Sequence, residues 1–440
     1  MKKSLIDKIA WWIPNSNLRR TFRDFMNYKY NLNNNIPNFF DNDVKAIIKS
    51  QFENSITHFS VYTTSNYGDN ILVISLRDSI EKILNKSYVW VNKHAYNKFY
   101  DEDIQIANQT KCIIIGGGGL FLKDTNANEI SGWIFPISIS SIEKIKVPLF
   151  LVAVGYNRFR NQDEFEPYFK DNINKIAEKC VFIGLRNNGS IRALKNYVEP
   201  KYHNKLIYYP CATTLLSKIY TIPKFNVKQK FIAINCAFDR EVMRFGNKKD
   251  YILNSIANVL KKYSKDYKIK FYRHMESDEK ILPYFDNVNL KYEIVNFNID
   301  TEMDKCLQYY STPELVLAFR GHAQLIPFGC NTPTLSIISH DKLRWFLEDI
   351  NHLEYGIDVN DEYFEEKLFR KINYMINNRE KIILELKEAQ EKLYKITLKN
   401  IEIIKDRTGQ DRTGQDRTGQ DRTGQDRTPV MFEYAFNKTA

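Results

Sequence analysis

Two side chains that could act on an anionic substrate, Arg320 and His322, follow directly after an apolar run, Glu314 to Phe319, short enough to be a buried strand. Residues Ala323 to Phe328 then predict a helix with an apolar face, and Gly329 punctuates its far end. A guanidinium matches the fork of a carboxylate or phosphate, and an imidazole can move a proton near neutral pH. Open α/β sheets bind ligands where a strand gives way to a helix, and the free N–H groups of that helix favour anions. The alternative is that Arg320 pairs with a structural carboxylate and His322 caps the helix.

A glycine run, Gly116 to Gly119, follows a second apolar run, Lys111 to Ile115, which predicts another buried strand. Glycine lets a backbone turn tightly and approach a ligand closely, so Gly117 and Gly118 are candidate substrate-binding positions. A tight strand–helix junction explains the run equally well. It is not a dinucleotide fingerprint, because Phe121 stands where the third glycine is needed, and it lacks the Gly-Lys-Ser/Thr of a P-loop.

Three polar or small residues, Asn66, Gly68 and Asp69, lie in a predicted loop between a strand at Phe59 to Thr63 and a helix at Ile71 to Leu84. Asn66 is a candidate substrate-binding residue. Asp69 could act on the substrate, or it could simply cap the helix.

Arg186 ends another predicted strand and could hold an anion or form a structural ion pair. His274, with Asp278 and Glu279 nearby, resembles an acid–base or metal cluster. No second histidine lies close enough for a zinc site, so a loop lining the cleft is the preferred interpretation. The other histidines form no pattern and are assigned to the core or the surface: His58, His94, His203, His340 and His352.

Apolar runs ending in glycine or polar residues alternate with helical segments along most of the chain, which predicts mostly parallel sheets. Two α/β units of similar size, joined by one linker, predict two Rossmann-like domains facing across a cleft. The predicted divisions are a basic amphipathic segment (1–50), a first α/β domain (51–223), a second (224–345), a helical segment (346–405) and a disordered tail (406–440).

The composition indicates a globular protein, because 43% of the 440 residues are hydrophobic. The net charge of +11 reflects abundant lysine, as AT-rich coding DNA gives, and no nucleic-acid-binding motif accompanies it, so no nucleic-acid partner is expected. The six cysteines lack C-x-x-C pairs and mostly lie in apolar runs, which indicates reduced core residues of a cytoplasmic protein.

The two ends of the chain differ from the rest. Near the start, Trp11 and Trp12 lie among basic residues, which suits either peripheral contact with an anionic membrane surface or packing on the protein's own body.

Near the end, Asp-Arg-Thr-Gly-Gln occurs four times between Asp406 and Gln425, without large apolar side chains, which predicts disorder. The codons GAC-AGG-ACA-GGA-CAG spell this peptide from repeated GACAG. We hypothesise a tandem five-nucleotide repeat whose gain or loss would switch the C-terminus, a form of phase variation.

The order of these segments resembles the polysaccharide pyruvyl transferase family over about residues 56 to 347. The matching segments are Asn66-Tyr67-Gly68-Asp69, Ile113 to Gly119, Val154-Gly155-Tyr156, Leu185 to Ser190, Phe271 to His274 with Asp278, and Arg320-Gly321-His322 through Pro333 to Lys342. Tyr209 and Asn187 depart from the pattern, since acidic residues are common at both positions in the family.

The resemblance implies a fold like that of GT-B glycosyltransferases and transfer of the enolpyruvyl-derived group of phosphoenolpyruvate to a sugar of a surface polysaccharide, such as a capsule, or of its lipid-linked precursor. Phosphoenolpyruvate is then the donor, and no further cofactor is implied. Family residues at the donor site correspond to Arg186, Arg320 and His322. On this hypothesis the arginines clamp the donor, His322 supplies the acid and Asp69 orients the acceptor hydroxyl.

Two alternatives remain at this point. One is a GT-B glycosyltransferase in which Arg320 and the helix N-terminus hold the diphosphate of a nucleotide-sugar. The other is a non-catalytic scaffold of a membrane-associated glycan assembly complex.

Overall fold

The computed structural model describes residues 54–62, 65–223, 225 and 229–409, which form two parallel six-stranded sheets with their helices. The predicted N-terminal amphipathic segment and the repeat tail from Gln410 onward lie outside the described residues. The prediction of an α/β protein with two Rossmann-like units is confirmed.

The first sheet has the strand order β2-β1-β3-β4-β5-β6, with every neighbouring pair parallel. Its strands are β1 (Ser55–Ser60), β2 (Val89–His94), β3 (Ile113–Phe121), β4 (Leu149–Tyr156), β5 (Phe182–Leu185) and β6 (Leu206–Tyr208). The accompanying helices are α1 (Tyr67–Leu84), α2 (Asp101–Ala107), α3 (Ile139–Glu143), α4 (Pro167–Lys179), α5 (Asn188–Leu194) and α6 (Leu216–Ile219), with 3₁₀ turns at Pro200–Lys205 and Ala212–Leu215.

The second sheet has the order β12-β11-β10-β7-β8-β9 and is also parallel throughout. Its strands are β7 (Phe231–Ile234), β8 (Lys268–Arg273), β9 (Glu293–Asn296), β10 (Leu315–Ala318), β11 (Thr334–Ile338) and β12 (Gly356–Asp358). Its helices are α7 (Glu241–Phe245), α8 (Lys249–Tyr263), α9 (Leu282–Asn287), α10 (Met303–Ser311), α11 (Gly321–Gly329) and α12 (Asp341–Asp349), with 3₁₀ turns at Gly246–Lys248, Glu276–Ile281 and Leu353–Tyr355.

The central strands consist of apolar residues because helices cover both faces of each sheet. Every residue of β4 and β10 is buried, so these strands contain continuous apolar runs and no alternation with polar residues.

The glycine run lies inside β3, whereas the sequence predicted that the strand ends at Ile115. Gly116 and Gly118 have φ angles of +134° and +102°, which residues with a Cβ rarely adopt. The ladder to β4 nevertheless continues past the glycines, and its register shifts between Gly118 and Phe121.

Both helices that carry candidate site residues begin earlier than predicted. Asn66 caps α1 by accepting a hydrogen bond from the Gly68 amide at 3.3 Å, so Asp69 lies in the first helical turn and not in a loop. Helix α11 begins at Gly321, so His322 is a helical residue and not a cap.

The predicted C-terminal helical run is two helices, α13 (Phe364–Asn377) and α14 (Arg379–Gly409). Helix α14 includes the first four residues of the repeat, where disorder was predicted. Thr408 is buried there, its hydroxyl donates to the Ile404 carbonyl at 2.8 Å, and Lys111 reaches its carbonyl at 3.5 Å.

Each sheet has a point where the chain changes direction along the strand order. In the first sheet this point lies between β1 and β3, and in the second it lies between β7 and β10. Ligands of open α/β sheets bind outside the carboxyl ends of the strands at such points. Asp69 follows β1, the glycines line the end of β3, and Arg320 follows β10, so the topology places these residues where ligands bind.

Candidate functional site

A cavity of about 380 Å³ is lined by residues that follow strands of both sheets. Its volume lies within the range of about 300–1,000 Å³ that is usual for small-molecule sites. Five cationic side chains line it against two carboxylates: Arg186, Arg240, Arg244, Arg320 and Lys342 against Asp69 and Asp239. Arg320 and Arg240 also pair with Asp278 and Asp124 behind the lining, so the cations without an ion pair among the described residues are Arg186 and Lys342. The cavity is therefore suited to an anion.

Arg186 is a buried cation in this wall, with 8% of its surface exposed. Among the described residues its side chain forms no ion pair, and its buried Nη2 has no hydrogen-bond partner. Burial lowers the pKa of its guanidinium. Gly155 makes room for it, because a Cβ there would lie 2.2 Å from Arg186 Nε. Burying a guanidinium without an ion-pair partner lowers the stability of the folded protein. A bound anion that pairs with the guanidinium would offset this cost.

His322 also lines the cavity and is 7% exposed. Its Nδ1 lies 3.8 Å from Asp69 Oδ1, and its Nε2 lies 3.9 Å from the Cys211 sulfur. A Cβ on Gly68 would meet His322 Cβ and Nδ1 at 2.5 Å, so the glycine of the Asn-Tyr-Gly-Asp segment is needed for the imidazole to pack there.

Burial, together with the charges of Arg186 and Lys342, lowers the pKa of His322 to about 3. The imidazole is therefore neutral at pH 7 in the unliganded protein. An anion bound beside Arg186 and Lys342 would offset their charges and raise this pKa, while burial would continue to lower it.

Asp69 receives a hydrogen bond from Asn66 Nδ2 at 2.9 Å. Burial raises the pKa of Asp69, and the Asn66 bond and the charge of Lys342 oppose that rise. Asn66 and Asp69 both line the cavity, so the structure brings these two predicted residues together with Arg186 and His322.

Arg320 also lines the cavity, but its guanidinium is engaged within the protein. Its Nε donates to both oxygens of the buried Asp278, at 3.0 and 3.1 Å, and its Nη2 contacts the same carboxylate. Its Nη1 donates to Asp239 Oδ1 at 3.0 Å. This is the ion pair that the sequence offered as the alternative for Arg320, and it leaves one N–H on each terminal nitrogen for a ligand.

Lys342, which the residue pattern did not single out as a site residue, stands in the first turn of α12 and reaches the cavity. Its Nζ donates to Asn157 Oδ1 at 2.8 Å, and it forms no ion pair among the described residues. Burial lowers its pKa well below the usual value, and Arg186 and Arg244 lower it further. The signal that could have found it is its position, directly after the predicted strand Thr334 to Ile338.

Asp239 and Arg244 are two further site residues that sequence reasoning missed. They follow β7, the strand beside β10 at the direction change of the second sheet. Burial by itself would raise the pKa of Asp239, but Arg244, Arg320 and Lys342 together hold it well below the usual value.

The glycine strand supplies backbone to the cavity through Gly117, Gly118 and Gly119. Behind it, His58 contacts the Gly116 carbonyl through Nε2, and Arg77 Nε donates to His58 Nδ1 at 3.1 Å. The buried His58 thus fixes the strand that lines the site.

His274 lies outside this cavity. It is 1% exposed, its Nε2 contacts the Tyr310 hydroxyl, and its ring packs against Tyr67 and Phe297. Burial and the nearby Arg320 lower its pKa well below the usual value. It lines a second cavity of about 530 Å³ next to the first.

All six cysteines are free and buried, which confirms their predicted place in the core. Within the described part of the chain, no group of three or more His, Cys, Asp and Glu side chains could hold a metal ion. None of the helices described is long and apolar enough to cross a membrane.

Comparison with solved structures shows a shared fold. The S. aureus MnaA–UDP co-structure is 14% identical, with a TM-score of 0.51 over 80% of this chain and 95% of that one. The UDP-GlcNAc 2-epimerase from Neisseria meningitidis bound to UDP-GlcNAc is 12% identical, with a TM-score of 0.48 over 80% of this chain and 98% of that one. The fold is therefore GT-B-like, as predicted.

No curated protein sequence matches the chain significantly. A family model described as Polysaccharide pyruvyl transferase matches residues 66–341, a range that begins at the cap of α1 and ends at the start of α12. That range contains Asp69, Arg186, Arg320 and His322 and covers well over half of the sequence, and the chain belongs to the polysaccharide pyruvyl transferase family.

Proposed function

We propose that this protein transfers the enolpyruvyl-derived group of phosphoenolpyruvate to two hydroxyls of a sugar in a surface polysaccharide or its lipid-linked precursor, forming a pyruvate ketal and releasing phosphate. The observation that carries the proposal is the buried Arg186, which forms no ion pair among the described residues, in a cavity lined by four further cationic side chains. Phosphoenolpyruvate carries a carboxylate and a phosphate, and this lining is suited to both.

The donor would be held by charge. Arg186, which forms no ion pair among the described residues, would take one anionic group, while Lys342 and the remaining N–H groups of Arg320 would take the other. The N-terminus of α11 adds backbone N–H groups at the same wall.

The reaction begins at the methylene carbon of the donor. His322 would give that carbon a proton, which leaves positive charge on the neighbouring carbon, and the first sugar hydroxyl adds there while losing its proton to Asp69 or solvent. The carbon–oxygen bond to phosphate then breaks, and the second hydroxyl closes the ketal. One hydroxyl proton replaces the one His322 gave, and the other leaves with phosphate.

Donor binding would prepare His322 for this role. Arg186 and Lys342 are among the causes that lower the pKa of His322, so an anion that neutralises them raises that pKa. The imidazole would therefore be protonated more readily when a donor is bound than when the site is empty.

Thermal-shift titration tests the donor class. We expect phosphoenolpyruvate to stabilise the protein as its concentration rises above the dissociation constant, and CMP- and UDP-sugars to give no comparable shift. A larger shift with a nucleotide-sugar would favour the glycosyltransferase alternative, and no shift with any ligand would favour the scaffold.

Arg186→Met should abolish the phosphoenolpyruvate-induced shift because it removes the free fork. Arg192→Met is the matched control, since Arg192 lies on α5 with its side chain 61% exposed and pairs with Glu348 on the surface. An unchanged shift in Arg186→Met would contradict the proposed donor site. Incubation with phosphoenolpyruvate and candidate glycans, with mass spectrometry of the product, tests ketal formation directly.

A further inference from the structure

The second cavity lies beside the donor cavity and differs from it in charge. It measures about 530 Å³, and its charged wall residues are one arginine, Arg273, and one glutamate, Glu276. Arg273 already contacts Glu279. The second cavity therefore has no excess positive charge, whereas the donor cavity is lined by two cations without an ion pair among the described residues, Arg186 and Lys342, so the two cavities suit ligands of different charge.

The two cavities share walls. Ser65 and Met275 line both of them. The two cavities therefore adjoin at these two residues, so a ligand seated in the second cavity could present one atom to the donor.

His274, which lines the second cavity, has a buried ring nitrogen without a hydrogen-bond partner. His274 is 1% exposed, its Nε2 contacts the Tyr310 hydroxyl, and its Nδ1 has no hydrogen-bond partner among the described residues. The protonation state of Nδ1 depends on which way the hydrogen bond to Tyr310 runs. A hydroxyl satisfies Nδ1 in either case, because it both donates and accepts.

The lining of the second cavity is mixed and partly open to solvent. Glu276, Asn298 and Ile299 are exposed, and Arg273, Glu276 and Asn298 offer hydrogen-bond donors and acceptors. Met275, Phe297 and Ile299 supply apolar surface, which is the larger part of the lining. An uncharged saccharide, which has both hydroxyls and apolar ring faces, fits this lining.

We propose that the second cavity is the pocket for the acceptor saccharide, with the reacting hydroxyls directed past Ser65 and Met275 towards the donor. This inference rests on the proposed pyruvyl transfer. A nucleotide diphosphate is the poorer fit, because the lining has no excess positive charge to hold it.

The test uses a cysteine at the rim of the cavity. Since all six natural cysteines are buried, Asn298→Cys gives one accessible thiol that a bulky maleimide can block. Asn377→Cys, at the exposed end of α13, is the matched control. Binding of methyl glucoside, methyl galactoside and methyl mannoside is followed by saturation-transfer NMR, and binding of phosphoenolpyruvate by thermal shift.

We expect the blocked Asn298→Cys protein to lose its saturation-transfer signals and to keep the full phosphoenolpyruvate shift, while the blocked control keeps both. Glu276→Gln, which needs no label, should weaken the same signals without changing the shift. Signals that survive the block, or the absence of signals from every glycoside with the wild-type protein, would overturn the acceptor pocket. Failure of phosphoenolpyruvate to shift the wild-type protein would instead refute the proposed donor.

Discussion

Two glycines at this site are needed because a larger residue would clash with a side chain of the site. Gly68 leaves room for His322 and Gly155 leaves room for Arg186, although the second pair is 31 positions apart in the sequence and the first pair is much farther apart. Neither glycine has a positive φ angle, so backbone freedom is not the reason for them. Their roles follow from contacts that only the folded chain shows.

Gly68→Ala should therefore destabilise the protein, although alanine in place of an interior helical glycine normally stabilises by about 1 kcal/mol. The new Cβ would lie 2.5 Å from His322, and such overpacking costs about 1–3 kcal/mol. Urea unfolding measures the change.

The same substitution in a His322→Gly background separates this clash from other effects. Without the imidazole and its Cβ, Gly68→Ala should no longer destabilise, which gives a coupling energy in the double-mutant cycle. Equal costs in both backgrounds would show that the contact with His322 is not the cause.

Binding of phosphoenolpyruvate should increase the fraction of His322 that is protonated, measured at about pH 5, nearer the pKa of the unliganded imidazole. The pKa of His322 is about 3 in the unliganded protein, so the imidazole starts neutral, and neutralising Arg186 and Lys342 raises its pKa. Calorimetry in buffers of different ionisation enthalpy counts the protons. His322→Gln is the reference, because the titration of the ligand's own phosphate occurs in both proteins. Equal proton counts in the two proteins would show that His322 does not gain a proton when the donor binds.

The rule that ligand-binding residues follow the strands of a parallel sheet located the predicted site residues, but it did not show which residues form ion pairs with them. Asp69, Arg186, Arg320 and His322 all stand just after predicted strands, and parallel strands bring their carboxyl ends to one edge. The bonds from Arg320 to Asp278 join residues 42 positions apart, and neither spacing nor periodicity indicates such a contact.

At the scale of elements, the contact between α5 and α12 joins the two α/β units. Gly189 of α5 packs against Trp345 so closely that a Cβ would lie 2.0 Å from the indole ring. At the same contact, the Asn188 amide and side chain donate to Asp349 at 3.0 and 2.9 Å. This contact holds Arg186, just before α5, close to Lys342 on α12.

Asp349 should make stability at this contact depend on pH. Burial raises its pKa from 3.8 to about 6, so the native state favours the protonated form and its contribution is lost as pH rises from 3.8 through 6. Relative to Asp349→Asn, the wild type should lose about 2 kcal/mol of unfolding free energy between pH 4.5 and pH 7.5.

Urea unfolding at the two pH values measures this difference, and Asp266→Asn, which changes an exposed carboxylate, is the control. A difference in unfolding free energy between the wild type and Asp349→Asn that is the same at both pH values would contradict the raised pKa of Asp349.

Element types were predictable where apolar runs were long, and element ends were not. The runs around Ile113 and Leu149 are strands as predicted, because only continuous apolar sequence suits a strand buried on both faces. The three-residue strands β6 and β12 escaped prediction, since segments so short carry no periodicity. Helix α1 begins at Tyr67 because Asn66 caps it, a choice that the polar segment around it did not reveal.

At the scale of the whole molecule, α14 spans both units. Gln390 is buried and its Nε2 donates to the Thr214 carbonyl and to the Gly329 carbonyl, each at 2.9 Å. Thr214 follows the first sheet and Gly329 ends α11 of the second unit. Further along the helix, Asn400 Nδ2 donates to the Tyr208 carbonyl of β6 at 2.9 Å.

Gln390→Met should destabilise the protein by about 2–4 kcal/mol, because it leaves two buried carbonyls without donors at about 1–3 kcal/mol for each unsatisfied group. Glu388→Met, an exposed position on the same helix, should change stability by less than about 0.5 kcal/mol. Thermal and urea unfolding compare the two variants. A loss in Gln390→Met no larger than that in Glu388→Met would show that the buried amide does not brace the units.

Helix α14 contains the start of the repeat, and this determines which residues a change in repeat number would alter. The described part of the helix reaches Gly409, within the first Asp-Arg-Thr-Gly-Gln copy, and the reading frame through the repeats is set by the codons before them. If the coding DNA is repeated GACAG, replication slippage leaves every codon up to Gly409 unchanged and rewrites only the residues encoded downstream of the tract. Mutation at this hypervariable locus would then spare the enzyme body, and alleles of different repeat number should share one melting temperature.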